Sequence, residues 1–232
     1  MRFNDTSTYI SAGKKGLAEI IDACSLQPHH RVLDVGCGSG SVALPLLSYL
    51  QQGSYDGFDI VPSWVLWCQK HITAANPRFR FEFVDVYSKH YNSSGTITSE
   101  TLKFPYDNDS FDCVMLMSIF THMRLAGIHN YINEIARVMK PGGHAFITTF
   151  LLNEESRKSI VDGKSSLAFP YPFEGCLTLD EVFPETAIAV PQNHITDWLA
   201  QAGLQLEHVN YGSWADRPGR QNLHDNLIIK KR

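Results

Sequence analysis

The groups in this chain whose types and spacing bear on chemistry are a run of glycines, two acids placed around it and one histidine. Gly36, Gly38 and Gly40 alternate with Cys37 and Ser39, directly after the apolar run Val32-Leu33-Asp34-Val35. Glycine at that density permits a sharp turn and lets a ligand approach the main chain with no side chain in between. The apolar run reads as a buried strand, and Val42, Ala43, Leu44, Leu46 and Leu47 recur behind the glycines at helical spacing. Strand, glycine turn and helix make the first half of a βαβ unit, and the turn has the shape of a nucleoside-cofactor site. Asp59 lies 21 positions after Gly38, at the end of a second short strand. That is about the interval at which a βαβ unit brings a carboxylate to an adenosine ribose, and it leaves Ile60 to flank the adenine.

Charge narrows the ligand. The dinucleotide fingerprint G-x-G-x-x-G fails by one position, because Ser41 stands where the third glycine is needed and Gly40 comes one residue early. Asp34, two residues before the first glycine, adds a negative charge that repels a pyrophosphate and attracts a cation. S-adenosylmethionine carries an ammonium and a sulfonium and no phosphate, so it suits both constraints. Val32-Leu33-Asp34-Val35-Gly36-Cys37-Gly38-Ser39-Gly40 resembles motif I of class I S-adenosylmethionine-dependent methyltransferases. Ile135-Ala136-Arg137-Val138-Met139-Lys140-Pro141-Gly142-Gly143 resembles the segment preceding the fifth strand of the same superfamily. Tyr91-Asn92, residues 118–123 and residues 150–155 are similar to bacterial methyltransferases thought to act on sugars or secondary metabolites.

The resemblance spans about residues 30–152 and implies a cofactor site of Asp34, Gly36, Cys37, Gly38, Gly40, Asp59 and Ile60. It adds Asp85 on the adenine amino group, with Val86 beside it, and Ser118 at the end of the fourth strand. His122 leaves the carboxyl end of that strand, where ligands of open α/β sheets collect. An imidazole with an ordinary pKa of ~6.5 can take the proton of an acceptor hydroxyl, and it can also brace a loop. The reaction so implied is methyl transfer to a hydroxyl oxygen of a small molecule. The alternatives are a non-catalytic subunit that binds S-adenosylmethionine and a nicotinamide-dependent oxidoreductase.

The elements that must position these groups follow in order. Residues 1–12 are polar and aromatic and read as an arm that covers the site or frays. Leu17, Ile20, Ile21 and Cys24 mark a short helix, and Pro62 starts another that runs to Ala75. Residues 79–85 and 111–117 read as strands three and four. A helix carrying Ile128, Tyr131, Ile132, Ile135, Val138 and Met139 stops at Lys140-Pro141-Gly142-Gly143, before a fifth strand over 145–152. A helix over 191–202 and a hairpin over 204–211 and 222–229 close the chain. The fold expected is α/β and Rossmann-like: a mostly parallel seven-stranded sheet with helices on both faces and an antiparallel C-terminal strand. One domain over 1–232 carries irregular insertions at about 87–108 and 153–192 that form a substrate cap. Trp214, Arg217 and Arg220 read as a polar tip that closes on the same pocket.

Composition bounds the partners. The net charge is −4, without a block of Lys or Arg, which argues against nucleic acid and anionic membranes. The Asn/Asp-Pro-Pro-Tyr box of many base-amine methyltransferases does not occur. Five scattered cysteines, none in C-x-x-C spacing, point to reduced thiols and to no metal site. A polar N-terminus and the lack of a long apolar run point to a cytoplasmic protein without a leader or membrane span. Oligomeric state is not legible at this stage.

Overall fold

A computed structural model describes residues 6–220 and 222–232. Its parallel strands are β1 (Arg31–Val35), β2 (Ser54–Asp59), β3 (Phe79–Phe83), β4 (Phe111–Leu116) and β5 (Met139–Thr149). With β10 (Leu204–Asn210) and β11 (Asp225–Lys231) they form one seven-stranded sheet in the order β10-β11-β5-β4-β1-β2-β3. β11 runs antiparallel to both β5 and β10 and is the one reversed strand of the sheet.

Alternation along the strands feeds two cores. Leu33, Val35, Val114 and Leu116 face a layer made by α4 (Leu125–Val138) and α6 (Gln192–Gln201), while Val32, Cys113 and Met115 face the other side. That second layer is α1 (Thr6–Cys24), α2 (Ala43–Tyr49) and α3 (Pro62–Cys68). α4 buries Ile128, Tyr131, Ile132, Ile135 and Val138, the helical stripe visible in its sequence.

Several boundaries depart from expectation. Residues 6–12 are not a loose arm but the first turns of α1, and residues 1–5 lie outside the described part. The helix expected over 62–75 ends its α geometry at Cys68 and continues as a π-turn, Gln69–Thr73. Lys140 to Gly143 belong to the start of β5 rather than to a stop before it. The fifth strand does not run to 152 but ends at Thr149, opposite Asp225, the first residue of β11. Leu151–Leu152 then leave as β6, drawn away because the Asp225 carboxylate accepts the Leu151 N–H at 2.7 Å.

The region 153–192 is not irregular. It holds α5 (Glu154–Val161), β7 (Tyr171–Phe173), β8 (Cys176–Thr178) and β9 (Ile188–Pro191), and β6-β9-β8-β7 form a second sheet. Asn153 and Ser156 start α5 with a reciprocal capping box. This small unit has its own core of Phe150, Leu152, Phe169, Ala189 and Trp214. Residues 87–110 match expectation in having little regular structure, with two isolated bridges, Val86↔Ile97 and Ser88↔Asn92. Phe104 there meets Phe58 of β2 and Tyr131 of α4 at 5.0 Å each, so the loop joins the core between sheet and helix.

Candidate active site

Chain direction puts the carboxyl ends of β1, β2 and β4 on one rim of the sheet, because the three are parallel neighbours. The glycine turn hangs from that rim. The Gly36 and Cys37 N–H groups donate to the Phe58 carbonyl at 2.9 and 3.0 Å, so β2 carries the turn that follows β1. Gly36 and Gly38 have φ of +76° and +55°, the left-handed region that glycine tolerates. A Cβ at Gly36 would run into the Ile119 side chain, whereas one at Gly38 would have nothing within 4 Å. Gly38 thus faces open space, as a cradle for a ligand requires. The Tyr9 hydroxyl of α1 donates to the Ser39 carbonyl at 2.7 Å, so the N-terminal helix does reach this turn.

Asp59 is buried and ties the turn to its own strand. Its Oδ2 accepts the Gly38 N–H at 2.7 Å and its Oδ1 accepts the Val61 N–H at 2.9 Å. Burial raises its pKa, against the lowering effect of these backbone donors. Each oxygen keeps a second lone pair, the capacity a vicinal diol uses. Ile60 is half-buried beside it.

Asp34 is 4 % exposed and accepts the Tyr55 hydroxyl at 2.7 Å. Burial pushes its pKa to about 7, the Tyr55 bond opposing and the Asp59 charge reinforcing the rise. The Cys37 side chain points into the core, where it and Cys68 place their sulfurs 3.8 Å from the Gly38 carbonyl, so only its main chain faces outward. Ser118 sits at the end of β4 with φ +59° and donates its N–H to Thr148 Oγ1 at 2.7 Å. A non-glycine residue in that region marks a tightly determined turn.

Asp85 organises the loop that follows it. Its carboxylate accepts Asn92 Nδ2 at 3.0 Å, Thr96 N–H at 3.2 Å and Thr96 Oγ1 at 2.7 Å, and the side-chain donors hold its pKa down. About one of the four acceptor positions of a carboxylate then remains for a ligand amine. Val86 is buried, and its carbonyl also accepts Asn92 Nδ2, at 3.1 Å.

His122 ends a one-turn 3-10 helix, Phe120–His122, and its Nδ1 lies 2.9 Å from the Glu185 carbonyl. A carbonyl only accepts, so Nδ1 carries the proton, and in the neutral ring Nε2 is the unprotonated nitrogen. Burial lowers the pKa of His122, outweighing the Glu185 bond that raises it. The histidine therefore braces the loop that carries Glu185.

Around it stands a wall of rings. Tyr91 lies 6.3 Å from His122 and 6.2 Å from Trp64, while His90 lies 5.6 Å from Phe183. The Lys89 ammonium sits 4.1 Å from the Phe183 centroid. Arg124 pairs with Glu174 at 2.8 Å and Glu185 at 3.3 Å, fastening the small unit to the segment after β4.

Glu185, Phe183 and His224 carry no sequence signal beyond their types. His224 reaches the neighbourhood of His122 because β11 runs backwards, so that its first residues stand on the rim where β5 ends. Burial, then the His122 charge, lowers the His224 pKa to about 4. Trp214 and Arg217 do not close on a pocket: both are buried, where Trp214 Nε1 and Arg217 Nη1 donate to Asp225 at 2.8 and 3.1 Å. Burial satisfies an apolar ring and a charge at once because Asp225 supplies the acceptors. A cleft of about 760 Å³ lies toward the amino ends of β1 to β3, where Asp56 joins Arg31 and Arg80. It is remote from the glycine turn.

Comparison with known proteins bears on family and fold. Residues 32–143 match the family model described as a methyltransferase domain. Over 114 residues the chain is 29 % identical to a phthiotriol/phenolphthiotriol dimycocerosates methyltransferase of Mycobacterium leprae, covering 49 % of this chain and 35 % of that protein. It is 24 % identical to a tRNA N(3)-cytidine methyltransferase of Xenopus tropicalis over 49 % of this chain and 31 % of that one. The chain thus spans about a third of the length of these curated relatives. A solved S-adenosylmethionine-dependent methyltransferase from Mesorhizobium loti aligns with a TM-score of 0.62 at 15 % identity, over 95 % of this chain and 98 % of that one, a likeness of fold.

Proposed function

We propose that residues 32–143, which match a family model described as a methyltransferase domain, use S-adenosylmethionine as the methyl donor, and that this protein methylates a hydroxyl oxygen of a small molecule, a sugar or a secondary metabolite, with His122 as the base. One observation supports it above the rest. The open glycine turn, the Asp59 carboxylate and a histidine with one nitrogen already engaged share one rim.

Asp59 would hold the ribose hydroxyls, and the main chain of Gly36, Cys37, Gly38 and Gly40 would line the amino-acid end, with Asp34 beneath it. Ile60 and Val86 would flank the adenine, and Asp85 would accept from its amino group. Ser118 closes the floor at the end of β4. When bound, S-adenosylmethionine supplies a methyl group made electrophilic by the adjacent sulfonium. The acceptor's hydroxyl proton passes to His122 Nε2, and the imidazolium so formed is held by the Glu185 carbonyl. The cap, fastened through Arg124, limits water at that point. Alignment of the reactants can contribute ~7–11 kcal/mol, so proton removal need not carry the catalysis alone.

The net charge of −4 favours a small acceptor over a phosphate backbone. The test is calorimetry with S-adenosylhomocysteine. Saturable binding is expected, weakened about ten-fold or more in Asp59→Ala, since a carboxylate that accepts from two hydroxyls makes charged hydrogen bonds. A purified, folded chain without affinity for this compound or its methylated parent would end the proposal.

A further inference from the structure

The acceptor class follows from what surrounds His122, on the reading that this rim is the methyl-transfer site. Three large rings stand half-exposed there: Trp64 at 39 %, Tyr91 at 43 % and Phe183 at 39 %. They come from three separate parts of the chain. Trp64 lies in the first turn of α3, just past the end of β2; Tyr91 lies in the loop after β3; Phe183 lies between β8 and β9. Convergence of exposed aromatic surface from independent segments is uncommon unless something covers it. The wall is continuous toward the base, at 6.2 Å from Trp64 to Tyr91 and 6.3 Å from Tyr91 to His122.

Several charged groups in the same neighbourhood already have partners. Arg124 is held by Glu174 and Glu185, Asp85 by Asn92 and Thr96, and Lys89 lies against Phe183 and the Val182 carbonyl. A polyhydroxylated acceptor such as a sugar needs a fan of free donors and acceptors, whereas the exposed surface that stands out here is that of the Trp64 and Tyr91 rings, with Phe183 beside Lys89.

We propose that the acceptor is an aromatic hydroxyl compound, a phenol or naphthol, that lies against Tyr91 and Phe183 with its oxygen at His122 Nε2. Acidity supports the same choice. Burial lowers the basicity of His122, and a weak base removes a proton with far less penalty from a phenol, with a pKa of about 10, than from an alkyl alcohol. Aromatic pairs add to plain area burial through the ring quadrupole, so the recognition is for flatness and not merely for apolar bulk.

The experiment compares two probes of nearly equal size, 2-naphthol and its saturated counterpart trans-2-decalol, by calorimetry on protein saturated with S-adenosylhomocysteine. 2-Naphthol is expected to bind about five-fold or more tightly than the decalol. Tyr91→Ala and Phe183→Ala should each erase most of that preference, while Tyr91→Phe, which keeps the ring, should preserve it. Equal binding of the two probes overturns the proposal, as does a Tyr91→Ala protein with unchanged preference or tighter binding of methyl α-glucoside or 1-dodecanol than of 2-naphthol. If S-adenosylhomocysteine binds and 2-naphthol does not, the aromatic acceptor falls and the methyltransferase reading stands. If S-adenosylhomocysteine itself fails to bind, both fall.

Discussion

His122 and Asp34 show how burial turns two ordinary side chains to different uses. For His122, desolvation favours the neutral ring and the Glu185 carbonyl selects the tautomer, so the role proposed for it needs no carboxylate partner. His122→Ala is expected to lower turnover by about 100-fold or more, with affinity for S-adenosylhomocysteine within about two-fold of the parent. Because its pKa is lowered, the acid limb of the turnover profile should fall below the ordinary histidine value of ~6.5. A limb above that value, or unchanged turnover, would exclude His122 as the base. Asp34 carries the opposite sign. Its folded pKa of about 7 exceeds the ordinary value of 3.8, so the stability it contributes in acid is lost as pH rises through that window. Asp34→Asn should therefore stabilise the free protein relative to the parent at pH 8, by up to about 4 kcal/mol, and not at pH 4. Urea midpoints at the two pH values check this, and a difference independent of pH would refute it. Retaining an acid there at such a cost makes sense beneath a cationic ligand.

The unit formed by β6 to β9 and α5, the proposed cap, has polar attachments near the site. Arg124 joins it through two ion pairs with side chains 44 %, 50 % and 21 % exposed, and Lys89 and His90 add contacts to Val182 and Thr186 at 3.4 Å each. Exposed pairs of this kind are worth ~0–1 kcal/mol, enough to bias a closed position and too little to lock it. Arg124→Ala should change global stability by less than about 1 kcal/mol. Limited proteolysis between β7 and β9 should nevertheless be accelerated, and high salt should reproduce the effect in the parent. If cleavage within 171–187 is as slow in the variant as in the parent, the ion pairs do not hold the cap. The loop over 87–110 is anchored differently. Arg137 donates to the Phe104 and Tyr106 carbonyls at 2.9 and 2.7 Å, and Glu134 accepts the Phe104 N–H at 2.6 Å, so α4 supplies the bonds a helix would have made internally.

At the scale of the molecule, Asp225 joins the seven-stranded sheet to the small second unit. It is fully buried and accepts from the Leu151 and Gly212 N–H groups, Trp214 Nε1 and Arg217 Nη1, at 2.7, 2.8, 2.8 and 3.1 Å. Asp225→Ala would leave the Leu151 and Gly212 N–H groups and Trp214 Nε1 without an acceptor, and Arg217 without its buried counter-charge. A loss of about 3–5 kcal/mol is expected, near 10 °C in Tm for a chain of this size, and a shift of only one or two degrees would contradict it. Nothing in the sequence marks this aspartate apart from its place before an apolar run. The same divide runs through the whole chain. Val32 to Gly40, Asp59 at its interval and the stripe of α4 were readable because a strand, a glycine turn and a helix each imprint a local period on their residues. The parallel sheet and the one reversed strand followed from their succession. The short strands of the cap were not readable, since pieces of two to four residues bear no period and β6 exists only because β9 pairs with it. Nor was the company of His122: Glu185, Phe183 and His224 lie 63, 61 and 102 positions away, and only chain crossing brings them together. Sequence determined the framework and the glycine turn, where each residue answers to its neighbours; the packed fold decided which distant groups share a rim, and with that the protonation of His122 and Asp34, because burial is a property of the assembled molecule.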